Sequence, residues 1–123
     1  MRESFTADDA PEPGGPYSHA VRAGDTIYLA GQVPFDPETG EQPDGFEAQA
    51  RQAFRNLEAA ARAAGSSLAD AARVGVYLRD MADFPVMNTV FAELVTGLPV
   101  RTTIQSDLPG FAIEVDAVLY VGG

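Results

Sequence analysis

The eleven residues FAIEVDAVLYV, from Phe111 to Val121, alternate regularly and decide the fold of this 123-residue chain. One side of the extended segment is wholly apolar, with Phe111, Ile113, Val115, Ala117, Leu119 and Val121. The other side carries two carboxylates, Glu114 and Asp116, beside Val118 and Tyr120. Because successive side chains of a strand point to opposite faces of a sheet, the pattern predicts a strand with one buried face.

Two helices and further strands are predicted in the part of the sequence that precedes this segment. Apolar residues recur at helical spacing from Phe46 to a stop at Gly65, and again from near Asp83 to Gly97. Strands are expected on both sides of RAGD (22–25), within ADAARVGVYLRDM (69–81) and in PVRTTIQ (99–105). A short β segment is also expected around residues 4–6. The order of the main elements is β-β-α-β-α-β-β.

This order predicts an α+β fold. Each helix has one apolar stripe and each long strand has one apolar face, so we expect a single mixed β-sheet with two helices packed on one face. The opposite face mixes charges with Tyr28, Tyr77, Val118 and Tyr120. A face with that many aromatic residues is expected to pack against another subunit.

Composition narrows the class of protein. The length predicts one domain over residues 1–123. The net charge of −10, with only eight scattered arginines as basic residues, argues against nucleic-acid partners. No apolar run is long enough for a membrane helix, and the polar, acidic N-terminus predicts a cytoplasmic protein. Without cysteine and with His19 as the single histidine, no metal site and no cofactor are expected.

Arg101 is the first candidate site residue. It lies within the apparent strand PVRTTIQ, and arginine is rarely buried without a partner. The short turn SDLPGF (106–111) makes this strand and the last one expected neighbours, as in a hairpin, which would place Arg101 with Glu114 or Asp116 on the semi-polar face. Spacing alone leaves even odds between a structural ion pair and a site where Arg101 binds a small carboxylate and the acid holds a water.

Other catalytic patterns are weaker. Ser18 and His19 are adjacent, which points them apart on an extended chain, and no GxSxG motif supports a catalytic triad. The sequence GGP at 14–16 lacks the lysine and spacing of a phosphate-binding loop.

Four segments together resemble the Rid family, the RidA/YjgF reactive-intermediate deaminases. They are GPYSHAVRAGDTIYLAGQVPFDPETGE (15–41), VMNTVFAE (86–93), PVRTTIQ (99–105) and IEVDA (113–117). The resemblance implies a chorismate-mutase-like α+β fold and a homotrimer with sites in the clefts between subunits. It also implies hydrolysis of enamines and imines, such as 2-aminoacrylate and 2-iminopropanoate, to 2-keto acids and ammonia without a cofactor.

Site residues follow from the same resemblance. Arg101 matches the family arginine that binds the substrate carboxylate, and Asp116, rather than Glu114, is taken as the acid that positions water. The implied substrate-binding residues are Tyr17, Ala30, Gly31, Asn88 and Thr103. Three positions depart from the archetype, which has glutamate at Asp116, serine at Ala30 and cysteine at Thr103.

These departures keep alternatives open. The first interpretation is an imine deaminase with an altered or slower substrate profile. The second is a Rid-like protein of a specialised pathway that guides cyclisation or tautomerisation of an imine or carbonyl acid. The third is a non-catalytic binder of a small carboxylate. The ribonuclease activity ascribed to parts of the family is disfavoured by the acidic surface.

Overall fold

Two helices cover one face of a six-stranded sheet in the computed structural model, which describes residues 2–123. The helices are α1 (Phe46–Ala63) and α2 (Phe84–Leu94). The strands are β1 (Arg2–Phe5), β2 (Ala20–Ala23), β3 (Thr26–Gln32), β4 (Ala71–Leu78), β5 (Val100–Gln105) and β6 (Ile113–Tyr120). Short 3₁₀ turns at 68–70 and 81–83 precede β4 and α2. The predicted single mixed sheet with both helices on one face is confirmed.

The predicted hairpin between β5 and β6 is wrong. The strand order is β1-β2-β3-β6-β4-β5, so β6 lies between β3 and β4, and β5 forms an edge. Helix α2 carries the chain from β4 back to β5, which makes these two strands parallel neighbours, as expected of a β-α-β unit. The fully apolar face of β6 explains its inner position, because both of its neighbours then extend the same core.

The core lies between this sheet and the helices. Helix α1 contributes the buried Phe54 and Leu57, and α2 contributes Met87 and Val90. The sheet contributes a larger set of buried residues, namely Ile27, Leu29, Val74, Val76, Leu78, Ile113, Val115, Ala117 and Leu119. The alternation read from FAIEVDAVLYV therefore places Glu114 and Asp116 on the uncovered face, where Tyr28 and Tyr120 are about half exposed (51% and 55%). None of the helices in residues 2–123 is long and apolar enough to cross a membrane.

A bulge and a buried histidine shape the region around Ala30 and Gly31. The pairing of β3 with β6 shifts between Leu29 and Gln32, which places Ala30 and Gly31 in the irregular stretch. His19 is buried, accepts a hydrogen bond at Nδ1 from the Ala7 backbone N–H (2.8 Å) and lies 2.7 Å from the Pro11 carbonyl through Nε2. His19 therefore ties the loop between β1 and β2 to the sheet, and both of its ring nitrogens are occupied by backbone partners.

Candidate active site

Arg101 lies on the helix-covered side of the sheet, not on the semi-polar face predicted for it. Its register partner on β4 is the buried Val74, and parallel partners point to the same face. The correction follows from the topology, because β5 pairs with β4 rather than β6. Arg101 and the carboxylates of β6 therefore occupy opposite faces of the same sheet.

Aromatic rings, rather than acids, surround the Arg101 guanidinium. Its Cζ lies 4.8 Å from the ring centroid of Phe91 and 5.4 Å from that of Phe84, and Nη1 is 3.8 Å from the Met87 sulfur. Within residues 2–123, Arg101 forms no ion pair. Burial without a counter-charge lowers the pKa of Arg101. The half-buried cation can therefore offer its N–H groups to an incoming anion.

Two further predicted site residues lie on this side of the molecule. Asn88 of α2 lines the same groove as Arg101, together with Phe91, Leu98 and four smaller residues of the α2–β5 connection. Thr103, two residues after Arg101 on β5, has a buried hydroxyl without a hydrogen-bond partner among the described residues. We call Arg101, Asn88 and Thr103 the arginine half-site.

On the uncovered face, Glu114 rather than Asp116 lies next to the predicted site residues Tyr17, Ala30 and Gly31. The Glu114 side chain covers Gly31 so closely that a β-carbon at Gly31 would overlap its carboxylate. Two adjoining grooves share Tyr17, Gly31 and Glu114, and one of them also includes Ala30. We call Tyr17, Ala30, Gly31 and Glu114 the glutamate half-site.

The Glu114 carboxyl lies where its charged form is disfavoured. Burial raises its pKa, and the nearby charge of Asp116 raises it further. Within residues 2–123, Glu114 has no cationic partner that would oppose this effect. A carboxyl whose pKa is raised toward neutrality is better matched to general acid–base chemistry. Tyr17 borders the carboxyl, and its own hydroxyl accepts a hydrogen bond from the Gly14 N–H (3.0 Å).

Asp116 has a different environment two residues further along β6. Its carboxylate accepts a hydrogen bond from the Tyr77 hydroxyl (3.0 Å) and lies 3.5 Å from the Arg73 guanidinium. Burial and this hydrogen bond raise the pKa of Tyr77. Asp116 thus lies in a polar cluster at the middle of the uncovered face. Its role in positioning water stays a prediction.

The two half-sites are too far apart to act on one small molecule within one chain. Glu114 is in register with Tyr77 of β4, which pairs with Ile104 of β5, whereas Arg101 lies three residues earlier on that strand. Glu114 and Arg101 are thus separated by two strand spacings across the sheet, about 10 Å, and by three residues along the strands, about another 10 Å. Opposite faces of the sheet add to this separation. Any site that uses both half-sites needs a second copy of the chain.

Two features of the site escaped the sequence analysis. Spacing could not separate Glu114 from Asp116, because both residues share one face of β6. The aromatic surroundings of Arg101 did leave a signal, since Phe84, Met87 and Phe91 are spaced to share one face of α2. The same pattern is also typical of core packing alone. In residues 2–123, no group of three or more His, Asp or Glu side chains could hold a metal ion.

The fold and these two half-sites define a class, namely small α+β proteins with a half-buried arginine and a half-buried carboxyl on opposite faces of one sheet. The family profile described as Endoribonuclease L-PSP matches residues 7–121. A RutC family protein of Pyrococcus horikoshii is 44% identical over 124 residues, covering 98% of each chain. The chain belongs to the Rid (RidA/YjgF) family, as the sequence resemblance predicted.

Relatives with more specific names are also similar. A 2-iminobutanoate/2-iminopropanoate deaminase of Dermatophagoides farinae is 36% identical over 116 residues, 91% of each chain. The crystal structure of RidA from Psychrobacter has a TM-score of 0.91 and 42% identity, covering 97% of this chain and 99% of that one. Escherichia coli TdcF, solved with bound serine, has a TM-score of 0.89 and 32% identity, covering 96% and 98%.

Proposed function

We propose that this protein hydrolyses small 2-imino acids, and the enamines that tautomerise to them, to 2-keto acids and ammonia. The observation that carries the proposal is Arg101, a half-buried cation without an ion-pair partner in residues 2–123. Such a guanidinium suits a carboxylate, which it can bind through two parallel hydrogen bonds. Relatives named as imine deaminases and a relative solved with serine support a small carboxylate as the substrate class.

We assign the water-handling role to Glu114 in place of Asp116. Glu114 takes a proton from water as the water oxygen bonds to the carbon of the protonated imine and the C=N π electrons move to nitrogen, which forms a neutral carbinolamine. The carboxyl then returns the proton to the nitrogen, and the carbon–nitrogen bond breaks as the hydroxyl group gives its proton to the Glu114 carboxylate, which releases ammonia and the keto acid. Proton transfer by a positioned carboxyl contributes about 10²- to 10⁴-fold in rate. The glutamate of the archetype is then present as Glu114, and no shortened acid needs to be explained.

The working unit in this proposal is a ring of identical chains, in keeping with the homotrimer that the family resemblance implies. The arginine half-site of one protomer faces the glutamate half-site of the next. A head-to-tail contact of this kind closes into a ring when its rotation allows. The exposed Tyr28 and Tyr120 of the uncovered face, with Val118 beside them, provide apolar area for such a contact.

A coupled assay tests the function. A pyridoxal-phosphate-dependent dehydratase generates 2-aminoacrylate in the presence of the purified protein, and the appearance of pyruvate is followed. Acceleration that falls by at least 10²-fold in Arg101→Ala, and only partly recovers in Arg101→Lys, is expected from loss of a bidentate contact. If the wild-type protein gives no acceleration with any small imino acid, the deaminase proposal is wrong. Carboxylate binding without turnover would then indicate a binder.

Ribonuclease activity is the outcome to be excluded in parallel, because the family description names an endoribonuclease. The chain has 18 acidic and eight basic residues. A net negative surface repels a polyanion, whereas one arginine in a groove can still bind a small anion. We therefore expect no cleavage of single-stranded RNA at physiological salt, in the same preparations that hydrolyse imines.

A further inference from the structure

We propose that Phe91, with help from Phe84, is a positioning residue for Arg101: the rings hold the guanidinium without using any of its hydrogen-bond donors. The inference rests on the proposed function, because it explains how Arg101 is kept ready for the substrate carboxylate. It adds to the site two residues that never contact the reacting atoms in this scheme.

Helix α2 provides the side chains that contact the Arg101 guanidinium. Phe84, Met87 and Phe91 are separated by three and four residues, so they share one face of the helix. Arg101 Cζ lies 4.8 Å from the Phe91 centroid, nearer than the 5.4 Å to Phe84. Both distances are within the roughly 6 Å over which a ring attracts a cation. The face of α2 that packs toward the sheet thus also supports the guanidinium.

Comparison with other arginines shows what this arrangement avoids. Arg51 is bound by Glu47 and Glu93, Arg62 by Glu58, and Arg73 lies beside Asp116. A carboxylate placed at Arg101 would also hold the side chain, but it would occupy the N–H groups and compete with the substrate. An aromatic ring attracts the cation through its quadrupole and accepts no strong hydrogen bond. Ring support therefore orients the cation and uses none of its N–H donors, of which Nη1 also contacts the Met87 sulfur.

The hydrophobic core keeps Phe91 in place. Its ring packs edge-to-face on the buried Phe54 of α1, with centroids 5.8 Å apart and an interplanar angle of 78°. Phe91 also packs against other residues of the core, so the loss of this one ring–ring contact should leave the Phe91 ring beside the guanidinium. Phe54 offers a matched control, because its truncation removes the same ring–ring contact without removing a ring from Arg101.

The test measures binding of 2-oxobutanoate, a keto acid of the product class, by calorimetry. Phe91→Leu should raise its dissociation constant by about 2- to 30-fold, the range that a cation–π contact represents. Phe84→Leu should have the smaller effect of the two. Phe54→Leu should lower the thermal midpoint while leaving the dissociation constant within about twofold of wild type, because cation–π support remains. A second readout needs no ligand: the ring-current shift of the Arg101 Nε–H proton should shrink most in Phe91→Leu, less in Phe84→Leu, and stay unchanged in Phe54→Leu.

An unchanged dissociation constant in Phe91→Leu, or an equal rise in Phe54→Leu, would overturn the inference. So would a ring-current shift that is unchanged in Phe91→Leu. Failure of the proposed function gives a different result, in which the wild-type protein binds 2-oxobutanoate but hydrolyses no imine. The shift of the Arg101 proton is measured on the protein alone, so it reports on the ring contact whether or not the chain is a deaminase.

Discussion

The arginine half-site and the glutamate half-site are built in opposite ways. Arg101 is a cation among aromatic rings with its pKa lowered, and Glu114 is a carboxyl over a glycine with its pKa raised. In both cases burial opposes the charged form, and within residues 2–123 no opposite charge compensates. Each half-site lacks the ion that the other could provide. In the proposed function, the two half-sites act on one substrate between protomers rather than pairing with each other.

Among the changes that test this comparison, removal of the Glu114 charge should have the largest effect on kcat. Glu114→Gln keeps the shape of the side chain but cannot accept a proton from water, so kcat for imine hydrolysis should fall by about 10²- to 10⁴-fold. Asp116→Asn is the matched control and should keep kcat within about tenfold, because Asp116 is engaged by Tyr77 and Arg73. The reverse order of the two losses would return the catalytic role to Asp116.

A displaced Glu114 should cost nearly as much as a removed one. In Gly31→Ala the new β-carbon overlaps the Glu114 carboxylate and forces it to move, and misplacement by about 1 Å can cost about 10²-fold in kcat. Gly75 provides the control, since a β-carbon there would overlap Asp116 instead. Gly75→Ala should leave kcat close to wild type. Light scattering on both variants keeps a loss of assembly from being mistaken for a loss of chemistry.

Mixing of two inactive chains tests whether the half-sites come from different protomers. Arg101→Ala and Glu114→Gln chains, unfolded and refolded together, should regain about one quarter of wild-type activity, because random assembly places two intact half-sites together that often. Each variant refolded alone should stay inactive. A mixture of Arg101→Ala with the double variant Arg101→Ala/Glu114→Gln is the negative control, because neither chain supplies Arg101. A mixture no more active than its separate components would show that the half-sites do not meet.

The smallest expected effect concerns the pH profile. Glu114 must be ionised to accept the proton of water, so kcat/KM should rise with pH through the Glu114 pKa, which lies above its ordinary value of 4.5. Asp116→Asn removes the smaller cause of that raised pKa, so the acidic limb should move to lower pH. It should remain above 4.5, since burial, the larger cause, is unchanged. An acidic limb that does not move would mean that Asp116 exerts no charge effect on the site.

Local patterns in the sequence predicted most of the fold. The helical stripes, the alternation of β4 and β6, and the stop at Gly65, where φ is +81°, depend on neighbouring residues alone. Strand order depends on which elements bury each other's faces. The short turn after β5 favoured a hairpin, but the β4–α2–β5 connection already favoured a parallel pair. Giving that connection priority would have placed Arg101 beside α2.

The site was predictable only in part for a related reason. The motifs identified Arg101, Tyr17, Gly31 and Asn88 as site residues through the resemblance, and the structure groups Tyr17 with Gly31 and Asn88 with Arg101. The bulge in β3 brings Gly31 against Glu114, whereas Asp116 lies opposite Gly75 of β4. A bulge leaves no clear mark in a single sequence, so alternation alone could not resolve the two carboxylates.

The position of β5 at the edge of the sheet has a consequence for kinetics at low concentration. A lone protomer offers either the cation or the acid to a given molecule, never both at once. Specific activity should therefore decline on dilution, and the reaction should become more than first order in protein once protomers separate. In a cell, the protein would then be active only above a threshold concentration, and newly made chains would be inactive until they assemble.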